Sequence, residues 1–257
     1  MPTKNLIRAL AIALMGASLF SGCKFLNPAT TTAEGVYFGF YTANDGSNPV
    51  AIYGAILPKQ YAYFGDANGD LYILPNDITN GSFSGSVTAW PPFGETFSNG
   101  DSQRSFNLSG QANASNNVVT DITGILSGAT GGGSFTLTHN DLSTPAPSLA
   151  NLAGTYQGYY WGISTAISLT LNADGSFTLN DAFGCSGSGT LSVTSGYNLL
   201  QLNATLTGNS VCAGTVSGLG FTDTKDLNDL FNNGSGTYIY LGASNSNTGF
   251  VAELYKS

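Results

Sequence analysis

Charge is scarce in this chain. Asp, Glu, Lys and Arg make up 9% of its 257 residues, and there is a single histidine, His139. Any Ser-His-Asp or Cys-His mechanism would have to use that residue. It ends an alternating stretch, Gly133–His139, just before Asp141, and no serine stands in a Gly-x-Ser-x-Gly elbow. A surface strand end is therefore its expected state. The three cysteines form no Cys-x-x-Cys pair and no Cys/His cluster, which argues against a zinc or redox site. Glutamate occurs only at Glu34, Glu95 and Glu253, and most aspartates neighbour Gly, Asn or Ser, as turn residues do. These absences predict no enzyme and no cofactor. Acidic residues outnumber basic ones 15 to 7, giving a net charge of −8. That balance disfavours nucleic acid and electrostatic binding to anionic lipid.

Long apolar runs are also lacking, with one exception near the start. Ala9 to Phe20 is interrupted only by Gly16 and Ser18 and follows Lys4 and Arg8. As a helix it would cover about 18 Å, short of the roughly 30 Å hydrocarbon core. A basic start, a short apolar centre and small exit residues fit a secretory signal. The exit, Leu19-Phe20-Ser21-Gly22-Cys23, resembles the lipobox of bacterial lipoproteins. Ser21, Gly22 and Cys23 match that pattern; Phe20 stands where leucine is usual, and Leu19 lies one place further out. The resemblance implies cleavage before Cys23, lipid on Cys23 and a membrane link through that lipid. An aspartate after the cysteine would imply inner-membrane retention; Lys24 stands there instead, pointing to the outer membrane. Loss of Lys4 and Arg8 with the leader leaves a mature net charge of −10. In an exported chain the remaining pair, Cys185 and Cys212, is expected to form a disulfide.

The rest of the chain is rich in what the start lacks. Thr, Tyr, Phe, Val and Ile, with 34 glycines, predict an all-β fold with many tight turns. The period is 2: Ile167, Leu169 and Leu171 oppose Ser168 and Thr170, and Phe177 and Leu179 alternate with Ser176 and Thr178. Asn68-Gly69, Asn80-Gly81, Asn99-Gly100, Asp45-Gly46 and Asp174-Gly175 supply turns. A repeat runs through the chain. Gly35 to Tyr41 returns as Gly154 to Tyr160, with Tyr37 and Tyr156 expected to pack inward. Three weaker pieces follow: Asp66–Ile73 with Asn172–Leu179, Gly81–Val87 with Cys185–Leu191, and Thr123–Gly128 with Ala213–Gly218. The predicted organisation is a signal peptide (1–22), a lipidated flexible tether (23–34), a β lobe (35–140), a Pro-Ala-Pro linker (141–152) and a second β lobe (153–257). Each lobe holds about eight strand candidates, and closure into an antiparallel barrel removes its edges, with a small sandwich as the alternative. The one helical hint is 223–231. The lobes loosely resemble lipocalin-like barrels of two-lobed bacterial surface lipoproteins.

Asp66, Asn68 and Asp70 offer three oxygen ligands in five residues, like the start of a calcium loop, but the downstream glutamate is missing. An ordinary hairpin turn is the expected reading. Aromatics are the stronger functional candidates. Trp90-Pro91-Pro92-Phe93 reads as a contact loop through Trp90 and Phe93, and Tyr61, Tyr63, Tyr159 and Trp161 read as an aromatic surface, against the plainer expectation of barrel lining. The function expected is a lipid-anchored envelope binding module for a protein or small ligand, with a structural spacer as the alternative and a hydrolase as a lesser one. Cys23→Ser should abolish lipid incorporation and release the chain from membranes, read by mass spectrometry of the mature N-terminus and by fractionation.

Overall fold

A computed structural model describes residues 31–257, apart from 58–60, 75–76, 164, 213, 225–226 and 228–235. Cys23, the leader and most of the helical hint lie outside the described residues. Two closed antiparallel barrels of eight strands each follow one another along the chain. The first comprises β1 (Gly35–Ala43), β2 (Val50–Leu57), β3 (Tyr61–Asp66), β4 (Leu71–Leu74), β5 (Gly81–Trp90), β6 (Arg104–Ser115), β7 (Val118–Gly128) and β8 (Gly131–His139). The second comprises β9 (Gly154–Tyr160), β10 (Ala166–Leu171), β11 (Ser176–Asp181), β12 (Ser186–Val193), β13 (Leu200–Thr207), β14 (Gly214–Asp223), β15 (Tyr238–Ser244) and β16 (Gly249–Lys256). Every strand pairs with its sequence neighbour, and β1–β8 and β9–β16 close the rings.

Alternation makes each barrel. In β10, Ile167, Leu169 and Leu171 turn inward and Ser168 and Thr170 outward, the pleat's period of 2. Tyr37 and Tyr156 point into their barrels and are fully buried. Both interiors are packed with apolar side chains. The first retains a void of only about 20 Å³ among residues such as Ile52, Phe64, Leu108 and Leu137. Side chains fill the lower part of the first barrel, while its upper end, lined by Tyr72, Ala89 and Phe106, stays open.

Alternation fails where the barrels meet. The outer faces of β2–β4 pack on those of β14–β16, so β4 and β15 bury successive residues on both faces. Tyr63, Leu71, Ile73 and Trp90 of the first barrel join Leu219, Phe221, Tyr240 and Val251 of the second in one apolar cluster. Glycine permits the approach. A Cβ on Gly249 would lie 2.5 Å from Trp90 Cγ. Gly69 and Gly162, both at positive φ, bring two hairpin turns together, with no room for a Cβ against Trp161 O or Asn68 O respectively.

The segments expected to be loose are docked. Thr31 to Glu34, read as the end of a tether, lie on the first barrel: Ala33 N donates to Ile78 O (2.7 Å) and Asn80 N to Thr31 O (2.8 Å), while Tyr197 of the second barrel donates to Glu34. The segment 141–152, read as a free linker, starts with a 3-10 turn, Asp141–Ser143, capped by the Asn140 side chain. Buried Ser143 Oγ accepts from Val36 N at 2.8 Å, and Ser143 O accepts from Asn198 N across in the second barrel. A helical turn, α1 (Leu149–Leu152), then seats Leu152 in the second barrel's core.

The repeat also needs correction. β1 and β9 correspond, but Asp66–Asp70 joins the third and fourth strands of its barrel, whereas Asn172–Ser176 joins the second and third. The other two pieces slip by one strand likewise. Sequence similarity between Gly-rich hairpins had crossed over to the opposite end of the barrel. The shared interface predicts one cooperative unfolding transition for both barrels. Gly249→Ala should lower stability by about 1–3 kcal/mol through overpacking against Trp90, measured by chemical denaturation.

Candidate functional site

Trp90 and Phe93 are not a contact loop for an outside partner. Trp90 is 3% exposed and lies in the interface between barrels. Phe93 is 1% exposed and stops the mouth of the second barrel. Its ring sits 4.5 Å from that of Tyr160, 5.6 Å from Phe183 and 5.7 Å from Phe250. The paired prolines keep this stretch out of the sheet ladder, which frees it to cross from one barrel to the other. At the same end a disulfide joins Cys185 to Cys212, tying two neighbouring turns.

The other aromatic candidates scatter. Tyr61 is 48% exposed, Tyr159 is half-buried, and Tyr63 and Trp161 are buried in the inter-barrel cluster. Tyr63 donates to Ser217 O of the second barrel. Trp161 Nε1 donates to Glu253 Oε2 (3.1 Å), and Tyr240 OH donates to Glu253 Oε1 (2.8 Å). Glu253 is completely buried, a carboxyl serving the junction that sequence patterning did not single out. His139, with Tyr37 edge-on at 5.3 Å, is partly buried, and desolvation lowers its pKa.

The mouth of the first barrel, at the same end as the stoppered one, is open. It forms a cavity of about 340 Å³, bordered by the β1–β2 loop, the β3–β4 turn, the β5–β6 loop and the β7–β8 turn. Asp66, Asp70, Tyr41, Tyr72, Phe97 and Arg104 supply its chemistry. Asp66 is 2% exposed. Its Oδ1 accepts from Asn68 N (2.9 Å) and Asp70 N (3.1 Å), and its Oδ2 accepts from Tyr72 OH (3.1 Å). These bonds hold the hairpin turn and occupy both oxygens. Asp66 thus serves the hairpin turn that the sequence predicts, and no cluster of three metal-ligating His, Cys, Asp or Glu exists among the described residues. The second barrel has a comparable pair, with the tyrosine supplied by its first strand: Tyr160 OH donates to Asp181 Oδ2 (2.9 Å), and Asp181 Oδ1 accepts from Cys185 N (2.8 Å). There, Phe93 covers it.

Burial pushes the Asp66 carboxyl up to about 6 despite its hydrogen bonds. Burial, then the nearby Asp66 charge, pushes Asp70 up to about 7, while Arg104 pulls it back. The folded protein thus holds these protons more tightly than an unfolded chain would. This contribution to stability is full below about pH 4 and is lost as pH rises through 6 and 7. Arg104 does not pair with either carboxylate. Its guanidinium lies 4.1 Å over the Phe97 ring, and its Nη2 donates to Asn99 Oδ1 (2.9 Å). Its Nε is buried and meets no acceptor among the described residues. Arg104 escaped the sequence reading, yet it is the sole arginine after Arg8, a signal in a chain this poor in charge.

No known protein family and no curated protein matches the chain. Among solved structures it is similar to the crystal structure of a "putative outer membrane protein" from Bacteroides fragilis NCTC 9343, at 13% identity over 87% of this chain and 97% of that one, with a TM-score of 0.30. The two barrels are defined by their own strand pairing. Phe93→Ala should cost about 3–5 kcal/mol, the range for deleting a buried aromatic ring, as measured by denaturant unfolding.

Proposed function

We propose that this chain is a lipid-anchored protein of the bacterial cell envelope, held in the outer membrane through Cys23, that binds a small ligand at the mouth of its first barrel. The anchor rests on Ser21-Gly22-Cys23 behind a short apolar run and on Lys24 in place of aspartate. The binding role rests on one contrast: two barrels of one topology sit side by side, and only the second has its mouth stoppered from within. The open cavity, about 340 Å³, falls in the size range of small-molecule sites and combines apolar walls with a few convergent polar groups. The second barrel then serves as a packed support, which absorbs the spacer reading into part of the same molecule.

The Asp66–Asp70 pair favours a hydrolase as a second reading, since two carboxyls with raised pKa share one cleft. Against it, both Asp66 oxygens are engaged, Oδ1 by the turn and Oδ2 by Tyr72. Cross-linking capture from intact cells tests the binding role. Thr130→Trp, on the exposed turn at the cavity's rim, should abolish capture of the partner or ligand-bearing species with the melting temperature unchanged. Capture that survives the blocked mouth would remove this site from the function.

A further inference from the structure

Resting on the reading of the first barrel's mouth as a ligand site, we infer that its ligand is a neutral sugar ring, held between Arg104 and Asp70 with an apolar face against Tyr41. The mouth presents two polar groups that neither bond to each other nor are used up by their surroundings. Arg104 makes one side-chain hydrogen bond, from Nη2 to Asn99. Asp70 accepts no side-chain hydrogen bond among the described residues and feels the Arg104 charge without an ion pair to it. The remaining guanidinium N–H groups of Arg104 offer donors and the Asp70 carboxyl an acceptor at the same mouth, so a ligand that both accepts and donates suits it.

Charge narrows the class. A carboxylate or phosphate would meet Arg104 but also Asp45, Asp66 and Asp70, in a chain of net charge −8. An ammonium group would meet the carboxyls but also the Arg104 guanidinium, which is pinned in place by Phe97 and Asn99. Hydroxyls do both jobs without a charge, since each donates once and accepts twice. Adjacent hydroxyls on a ring present that combination at fixed spacing. The walls fit the rest of such a ring. Tyr41 lies half-buried along the cavity beside Tyr72, with ring centroids 5.7 Å apart, and offers an apolar surface to the C–H face of a sugar. The corresponding mouth in the second barrel is filled by the flat ring of Phe93 over Tyr160. The protein thus already seats one six-membered ring in this architecture.

The test uses the full mature protein in a polyoxyethylene detergent, because glycoside detergents would compete. Saturation-transfer NMR and calorimetry are run with the methyl glycosides of glucose, galactose, mannose and N-acetylglucosamine, and with phenethylammonium and benzoate as charged ring controls. At least one glycoside should bind. Arg104→Lys, which keeps the charge but loses the planar guanidinium, and Asp70→Ala should each weaken it about tenfold or more, with melting temperatures within a few degrees of the parent. Binding of only phenethylammonium or only benzoate overturns the sugar assignment while keeping the mouth as a site. Glycoside binding unchanged in both variants overturns the assignment to this mouth, and no glycoside binding at all overturns the sugar class. Failure of all probes together with an effect of Thr130→Trp on capture would sink the ligand class alone.

Discussion

The apolar seam between the barrels is the constraint on which the rest of the molecule depends. An eight-stranded barrel with one wet face would be content alone, and its strands would read as clean alternation. Here β3, β4, β15 and β16 bury almost every residue, because their outer faces are covered by the other barrel. Apolar area removed from water on that side is additional to either core. It also fixes the register of the two rings, since Gly65 faces Val251 and Gly249 faces Trp90 at distances no larger residue allows. The aligned turns at Gly69 and Gly162 set the two mouths next to each other, and only then does the Trp90–Phe93 stretch have a mouth within reach to stop.

Electrostatics in the open mouth follows from the same crowding. Few charges exist in this chain, so those that are buried matter. Asp66 is held by its own turn, Asp70 is left facing inward, and Arg104 is drawn aside onto Phe97. The second barrel covers a comparable pair, Tyr160 and Asp181, with carbon. One end of the molecule thus holds two versions of the same polar rim, one dry and one wet.

The fold was legible because it is local. Period-2 alternation, Asn-Gly and Asp-Gly turns and the duplicated Gly35–Tyr41 segment are written in consecutive residues, and antiparallel meanders pair consecutive strands. What failed to show was whatever depends on the barrels meeting. Pro91-Pro92-Phe93 does break the strand pattern, although Trp90 still belongs to β5, and nothing in these residues says that their target lies on the same chain. Glu253 sits in an apolar run, Gly249–Tyr255, and its burial makes sense only with Trp161 and Tyr240 alongside. The Asp66 motif was legible as a turn, and its carboxyl does serve one. Its assignment to the same place as Asn172 failed because Gly-rich hairpin turns resemble one another at either end of a barrel. Arg104 carried a usable signal, rarity, but rarity gives no direction until the loop beside it has a position.

That loop, 91–103, has a property that neither barrel has by itself. Its first residues seat Phe93 in one ring, and its later ones, Phe97 and Asn99, fasten Arg104 at the rim of the other. A single span of chain is thus a lever with a foot in each vessel. Any coupling between the corked ring and the rim of its neighbour would run through this span, and it would act equally in both directions.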